Sequence, residues 1–349
     1  MTSKNNELSS NPLVVGLQLP AMEEEITPTE NFFVRNHYSQ PEIDINSWRL
    51  KISIDDKVIT SLSYEDITSL NSTKFNSLLE CAGNSRASIQ PPVEGLLWDN
   101  SGVSSANWTG IPVANILSEI NLDEYLEVAF IGADSGINPS TKQNEFFGAS
   151  LTVEQAGNPQ VILAYEMNEQ PLTKDHGFPV RVLIPGWYGM ASVKWLTEIK
   201  VMSNAYYGFH QSENYVYQHL GDLDTSSPER VTSMQVKSLI TFPTRGTTIA
   251  NSSTNISGKA WSGTGEIEKV DVSTDGGQTW KPANLKESSD SRAWISWEFP
   301  WDNPTPGYYV VQSRAQDSNG NFQPTKATWN FRGFGNNSIH SVPVRIKPD

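Results

Sequence analysis

The chain has one cysteine, Cys81, and it stands in Leu79-Glu80-Cys81-Ala82-Gly83-Asn84-Ser85-Arg86. Ala82 and Gly83 leave room for a bulky group to approach. Arg86 adds positive charge that would favour a thiolate, either as a nucleophile or as a ligand to a soft metal. A free cysteine is equally at home as a small buried hydrophobe, so on this segment alone both readings stand. A second segment, Phe32-Phe33-Val34-Arg35-Asn36-His37, places a cation and an imidazole after an aromatic pair, and alone it also reads as the polar end of a strand. In a third, Asp175-His176-Gly177-Phe178-Pro179-Val180-Arg181 precedes Pro185-Gly186-Trp187-Tyr188-Gly189-Met190-Ala191-Ser192-Val193-Lys194-Trp195. There His176, Arg181 and Lys194 stand among glycines and prolines that fix the backbone direction. Forked and point donors in that setting suit a phosphate, with ordinary solvated charge as the plain alternative.

These residues need a scaffold, and the composition can supply one. Of 349 residues 37% are hydrophobic and only 18% charged, with 11 Trp, 11 Tyr and 13 Phe, enough for large cores and more than one domain. The formal charge of -14 opposes a nucleic-acid partner or an anionic membrane surface. A single cysteine excludes an intramolecular disulfide, a four-cysteine zinc site, an iron–sulfur cluster and c-type haem attachment. No stretch has the length and apolarity of a membrane span. The polar first ten residues lack the apolar core of a secretory leader, so the expectation is cytoplasmic, or periplasmic if a natural leader has been removed.

Three regions follow from the pattern. Residues 1–30 are polar, with the acidic run Glu23-Glu24-Glu25, and read as an arm on or off the body. From 31 to about 225, short β-rich runs alternate with turn residues and a few helical windows, 111–120 and 151–157 among them, which reads as α+β. Residues 50–54 alternate with period two, and 180–184 form a short apolar run closed by Pro185-Gly186; both predict strands. From 226 to 349 helical periodicity disappears and strands recur at short intervals, as in a β-sandwich. Val270-Asp271-Val272 runs into Asp275-Gly276-Gly277 and Trp280, a hairpin signal because glycine supplies the positive φ of such turns, and residues 309–315 lead likewise into Asn319-Gly320.

Together the segments carry a family resemblance. Phe33-Val34-Arg35-Asn36-His37, Glu80-Cys81-Ala82-Gly83-Asn84, Leu163-Ala164-Tyr165-Glu166-Met167-Asn168, Asp175-His176-Gly177-Phe178-Pro179-Val180-Arg181 and Ser192-Val193-Lys194-Trp195 resemble the sulfite oxidase family of molybdopterin enzymes. Asp271-Val272-Ser273, Asp275-Gly276-Gly277, Thr279-Trp280 and Trp329-Asn330-Phe331-Arg332-Gly333 are similar to that family's C-terminal immunoglobulin-like dimerisation domain. Any one motif is weak; five in order over most of the chain are specific. The implied architecture is an α+β molybdopterin-binding domain followed by an all-β immunoglobulin-like sandwich that pairs two chains as a homodimer.

The resemblance also implies roles. Cys81 would give its thiolate to a molybdenum held otherwise by one pterin dithiolene and oxo ligands. His176, Arg181 and Lys194 would hold the cofactor's phosphate, with Asn36, His37, Asp134 and Ser192 along the pterin. Arg35, Arg86, Tyr215 and Arg332 would bind a small anion, with Trp98 as a wall. The implied reaction is oxygen-atom transfer, sulfite to sulfate, with electrons passed to an external acceptor. A separate cytochrome, a dye-like acceptor or oxygen would serve, since these residues contain neither a cytochrome b5-like His-Pro-Gly-Gly segment nor Cys-x-x-Cys-His.

Departures from the family pattern bear on the substrate. Ser85 and Asn107 stand where sulfite-oxidising members have arginines, Tyr38-Ser39-Gln40 alters the stretch after His37, and residues 185–190 carry bulkier side chains. Tyr215 and Arg332 nevertheless agree with sulfite chemistry rather than with the related nitrate reductases. The alternatives are reduction of another small oxyanion or an S- or N-oxide at the same metal and, from a different class, a non-catalytic binding module with an inert cysteine.

Overall fold

The computed structural model describes residues 6–219, 221, 229–287 and 292–348. The domain boundary expected near 225/226 lies outside the described residues. The first domain is built on two sheets. One has the strand order Lys57–Leu62, Leu50–Ile54, Leu196–Met202, Glu127–Ile137, Asn144–Thr152, with a parallel pairing only between Leu50–Ile54 and Leu196–Met202. The other orders Gln170–Pro171, Ile162–Met167, Val103–Pro112 and Thr73–Glu80, with Arg181–Leu183 also pairing to Ile162–Met167. Both expected strands are present, 50–54 in full and 180–184 as Arg181–Leu183. Leu50, Ile52, Val128, Phe130, Leu163 and Val182 meet in a core between the sheets, as the alternating pattern requires.

Helices are short. The window 111–120 yields one turn, Val113–Ile116, because Ile111 and Pro112 complete the strand Val103–Pro112. The window 151–157 yields Val153–Ala156, set by a capping box between Thr152 and Gln155. Single turns cannot stabilise themselves, and these persist by burying Val113 and Ala156 against the sheet core. The domain is thus α+β with its helices reduced to connectors. Among the described residues no helix is long and apolar enough to cross a membrane.

Residues from 237 onward form the sandwich. One sheet orders Lys237–Phe242, Thr254–Trp261, Ile295–Trp301, Asn284–Leu285; the facing sheet orders Thr248–Ile249, His340–Ile346, Gly307–Asp317, Ile267–Ser273, Lys281–Pro282. Val270, Val272, Trp297, Val311 and Val344 fill the space between them. The hairpin at Asp275-Gly276-Gly277 forms as expected: Asp271 pairs with Pro282, and Gly276 and Gly277 take φ values of 73° and 90°.

Residues 6–30 belong to the body rather than lying loosely on it. Glu7–Ser10 and Leu13–Val15 form a three-stranded sheet with Val34–Arg35. Leu17 and Met22 then enter a core shared by both domains, with Tyr188, Trp261, Trp294 and Phe334. Composition misled because the carbonyls of the acidic run are the useful groups: Lys259 Nζ donates to Glu23 O and Glu24 O, and Trp294 Nε1 donates to Glu25 O.

Candidate cofactor and anion site

The strand Thr73–Glu80 ends at Glu80, and the chain turns immediately through Cys81. Cys81 N–H donates to Gly102 O at 2.8 Å, and Asn84 N–H closes the turn onto Cys81 O at 2.8 Å. Asn84 Oδ1 accepts from Gly102 N–H, while its amide donates to Glu80 Oε1. Burial pushes the thiol's pKa up, and the neighbouring Arg35 cation pulls it back. Cys81 therefore has a fixed backbone and a sulfur facing a cavity, which it lines with Arg35, Asn36, His37, Asp134 and Tyr215. Ala82 lines that cavity too, but Gly83 serves a different purpose from the one expected. A Cβ there would meet the Arg86 guanidinium at 2.7 Å, so the glycine makes room for the arginine.

Positive charge enters the same cavity from two further elements. His176, Arg181, Ser192 and Lys194 all line the same cavity. Arg181 donates to His176 O at 3.2 Å and Ser192 O at 2.8 Å, and its guanidinium lies 5.3 Å from the Trp108 ring centroid. Lys194 Nζ donates to Asn36 Oδ1 and to Asp175 O. Burial brings Arg181 down to about 9; burial and then the Arg181 charge bring Lys194 down to about 7. Burial and then Lys194 lower His176 to about 4. Crowded, buried like charges are costly unless an anion joins them. Asn36 Nδ2, Asp134 Oδ1 and Arg181 Nε, moreover, are buried without a partner, and burial raises Asp134 to about 6. A donor, an acceptor and a guanidinium N–H left unpaired around one cavity are the complement of a polar ring carrying an anionic tail. A single thiolate supplies one ligand, and among the described residues no group of three or more His, Cys, Asp or Glu gathers to hold a metal. A metal at Cys81 would need its other ligands from a group bound in the cavity, and the residues fit molybdopterin. The Ser192 hydroxyl accepts from Ile184 N–H at 3.1 Å and keeps its own proton to donate.

At the anion end, Tyr215 OH lies 2.6 Å from His37 Nε2, and its ring stacks on Phe334 at 4.9 Å. Burial lifts the phenol to about 12 despite Arg35 nearby; burial and then Arg35 hold His37 well below its ordinary value, so both are neutral near pH 7. Arg35 lines the cavity; Arg86 and Arg332 do not. Arg86 is buried one layer back, donating to Arg332 O at 2.7 Å and Leu96 O at 2.8 Å with Phe334 below it. Arg332 is exposed, where its charge keeps its hydration. Trp98 is no wall either: fully buried, it packs edge-on against Phe33, and Phe33 faces the cavity in its place. Ser85, where an arginine was missed, is buried and bonded to Asn100.

Sequence reasoning passed over His210, whose ring centroid is 4.5 Å from that of His37 and whose Nε2 lies 3.0 Å from Tyr38 OH. It begins the π-helical turn His210–Asn214 that delivers Tyr215, a local geometry common at functional sites. Its only signal in the sequence was its scarcity, as one of five histidines.

Known proteins are similar to the chain over most of its length. Residues 37–210 match the oxidoreductase molybdopterin binding domain, and residues 229–347 the Mo-co oxidoreductase dimerisation domain. The chain is 36% identical to mitochondrial sulfite oxidase of Rattus norvegicus over 346 residues, covering 93% of this chain and 62% of that protein. It is 32% identical to sulfite oxidase of Arabidopsis thaliana, covering 92% of this chain and 88% of that protein. The sulfane dehydrogenase SoxCD from Paracoccus pantotrophus superposes with a TM-score of 0.83 at 26% identity, covering 97% of this chain and 85% of that one.

Proposed function

The chain belongs to the sulfite oxidase family of molybdopterin oxidoreductases, and we propose that it oxidises sulfite to sulfate and passes the electrons to an external acceptor. One observation carries the reading: the single thiol, Arg181 and Lys194 with the buried His176 imidazole, unpaired polar atoms and the group Arg35, Tyr215 and His37 all line one cavity. The bound molybdenum–molybdopterin group supplies the oxygen-atom transfer and takes up the electron pair.

The protein's share is binding and orientation. Cys81 offers the sulfur ligand, Arg181 and Lys194 hold the phosphate by charge-assisted bonds, and the His176 imidazole joins them. Asn36 Nδ2 donates and Asp134 Oδ1 accepts along the ring. Arg35 meets the sulfite anion, and Arg86 adds charge from the layer behind. In the tautomer with its proton on Nε2, His37 donates to the Tyr215 oxygen and leaves the phenol proton free for a substrate oxygen. Such donors cost little reorganisation because burial and stacking on Phe334 have already fixed them. Arg332, exposed beside Arg86, adds positive charge that would draw the anion in. The sandwich pairs two chains as a homodimer, in line with the domain family it matches.

The test is metal content with turnover. Purified holoprotein should carry about one molybdenum and one pterin per chain and reduce ferricyanide with sulfite. Cys81→Ser should lose that turnover while keeping its circular dichroism. Absence of molybdenum, or full turnover by Cys81→Ser, defeats the reading. Greater activity in reducing S- or N-oxides with a reduced dye would instead favour the reductase alternative.

A further inference from the structure

Glu80 precedes Cys81 and points away from the cavity, into the seam between the domains, where it is 1% exposed. Its Oε1 accepts from Lys237 Nζ at 3.0 Å and from Asn84 Nδ2 at 3.0 Å, and its Oε2 accepts from Trp261 Nε1 at 2.9 Å. Lys237 opens the strand Lys237–Phe242, Trp261 closes Thr254–Trp261, and the two are register partners at one end of a sandwich sheet. Both are buried, and the Lys237 ammonium also sits 5.9 Å from the Trp261 ring centroid. The carboxylate thus has three donors, two from the second domain and one from the loop that follows Cys81.

We infer that the Glu80–Lys237–Trp261 clasp is a positioning device: through it the sandwich domain fixes the turn 81–84 and hence the direction in which the Cys81 sulfur meets the metal. The geometry supports this in two ways. Asn84 is shared, since one end of its amide is held by Glu80 and the other holds Gly102, so losing the carboxylate frees the residue that closes the cysteine turn. The pair is also buried on both sides, with side-chain exposures of 3% and 2%, so neither partner can turn to water. Glu80 touches no cavity atom and is therefore a positioning residue rather than a catalytic one. Groups that hold the neighbours of a ligand orient it without contacting the metal.

This rests on Cys81 as the metal ligand, and the experiment separates the two claims. Glu80→Gln, Trp261→Phe and Lys259→Met are compared with wild type as holoenzyme. Lys259 is the control: a buried lysine of the same sheet that ties down Glu23 and Glu24 and has no contact with the cysteine turn. The Mo(V) electron paramagnetic resonance g-values should move in Glu80→Gln and, less, in Trp261→Phe. They should stay at wild-type values in Lys259→Met even where its Tm falls. In cofactor-free protein, iodoacetamide should alkylate Cys81 about tenfold faster in Glu80→Gln than in wild type or Lys259→Met, a size taken from the effect that supporting groups have on metal affinity. If Glu80→Gln does not fold, Trp261→Phe carries both readouts, because it removes the indole N–H that Glu80 accepts while keeping an aromatic ring in the shared core. Wild-type g-values and alkylation rates in Glu80→Gln and Trp261→Phe, or an equal shift in Lys259→Met, overturn the inference. Wild-type holoenzyme without a cysteine sulfur at molybdenum overturns instead the ligand assignment, and the alkylation rates still judge the clasp.

Discussion

His176, His210 and His340 are each held near 4 from an ordinary 6.5, chiefly by burial. At His340 burial is joined by the Lys237 charge, and the geometry suits a neutral ring, whose Nδ1 accepts from Ile240 N–H, a bond a protonated ring cannot make. Between pH 6.5 and 4 the unfolded chain takes up protons at these sites that the folded chain refuses, so stability falls as pH falls through that window. Lys194, at about 7 against 10.5, adds a slope of the same sign at alkaline pH, because the unfolded lysine is protonated where the folded one is not. Calorimetry of cofactor-free protein should therefore show Tm dropping on acidification from 6.5 toward 4. His340→Asn, which keeps an acceptor for Ile240 but cannot titrate, should flatten that drop. An unchanged slope in this variant would show that His340 is not buried neutral.

Elements decide whether correct residues become a site. The loop that carries His176 reaches the strand Arg181–Leu183 through Gly177, whose φ is 101°. A Cβ there would stand 3.0 Å from Lys194 Cβ. Gly177→Ala therefore strains a backbone that side chains rarely adopt and pushes apart two of the three phosphate donors. It should cut molybdopterin retention severely while leaving far-ultraviolet circular dichroism unchanged; wild-type cofactor content would refute the assignment of this loop. The cation-bearing loop was readable in the sequence because His176, Arg181 and Lys194 lie within one short stretch, where glycines and prolines mark fixed turns. The sandwich was readable from its strand spacing and from Gly276-Gly277. Other features could not be read that way. His210 meets His37, and Glu80 meets Lys237, only after distant strands have paired, so no local pattern announces them. The helical windows misled because their periodic apolar residues are satisfied by one turn against a sheet. Arg86 and Arg332 were placed in the cavity by motif, yet backbone carbonyls hold the first and solvent keeps the second.

At the scale of the whole molecule, the second domain is a wall of the first. Their shared core joins Ala82, Tyr188 and Tyr215 from the cofactor domain to Met234, Leu239, Trp261, Trp294 and Phe334. Gly335 N–H also bonds Ala82 O beside the cysteine. The tightest point of the seam is Gly263, where a Cβ would meet Gly186 O at 2.1 Å and Met234 N at 2.5 Å. Those are backbone atoms and cannot swing aside, so Gly263→Ala must part the domains at the start of the stretch leading to Gly189 and Met190, which line the cavity. Gly258 is as crowded, with its Cβ 2.1 Å from Leu239 O and 2.3 Å from Trp297 Cζ2, but it lies inside the sandwich. Both alanine variants should lower Tm. Only Gly263→Ala should also lose molybdenum on gel filtration at a temperature where both remain folded. Equal loss from the two would mean that the cofactor responds to general stability, and equal retention would mean that the seam does not hold the cavity closed.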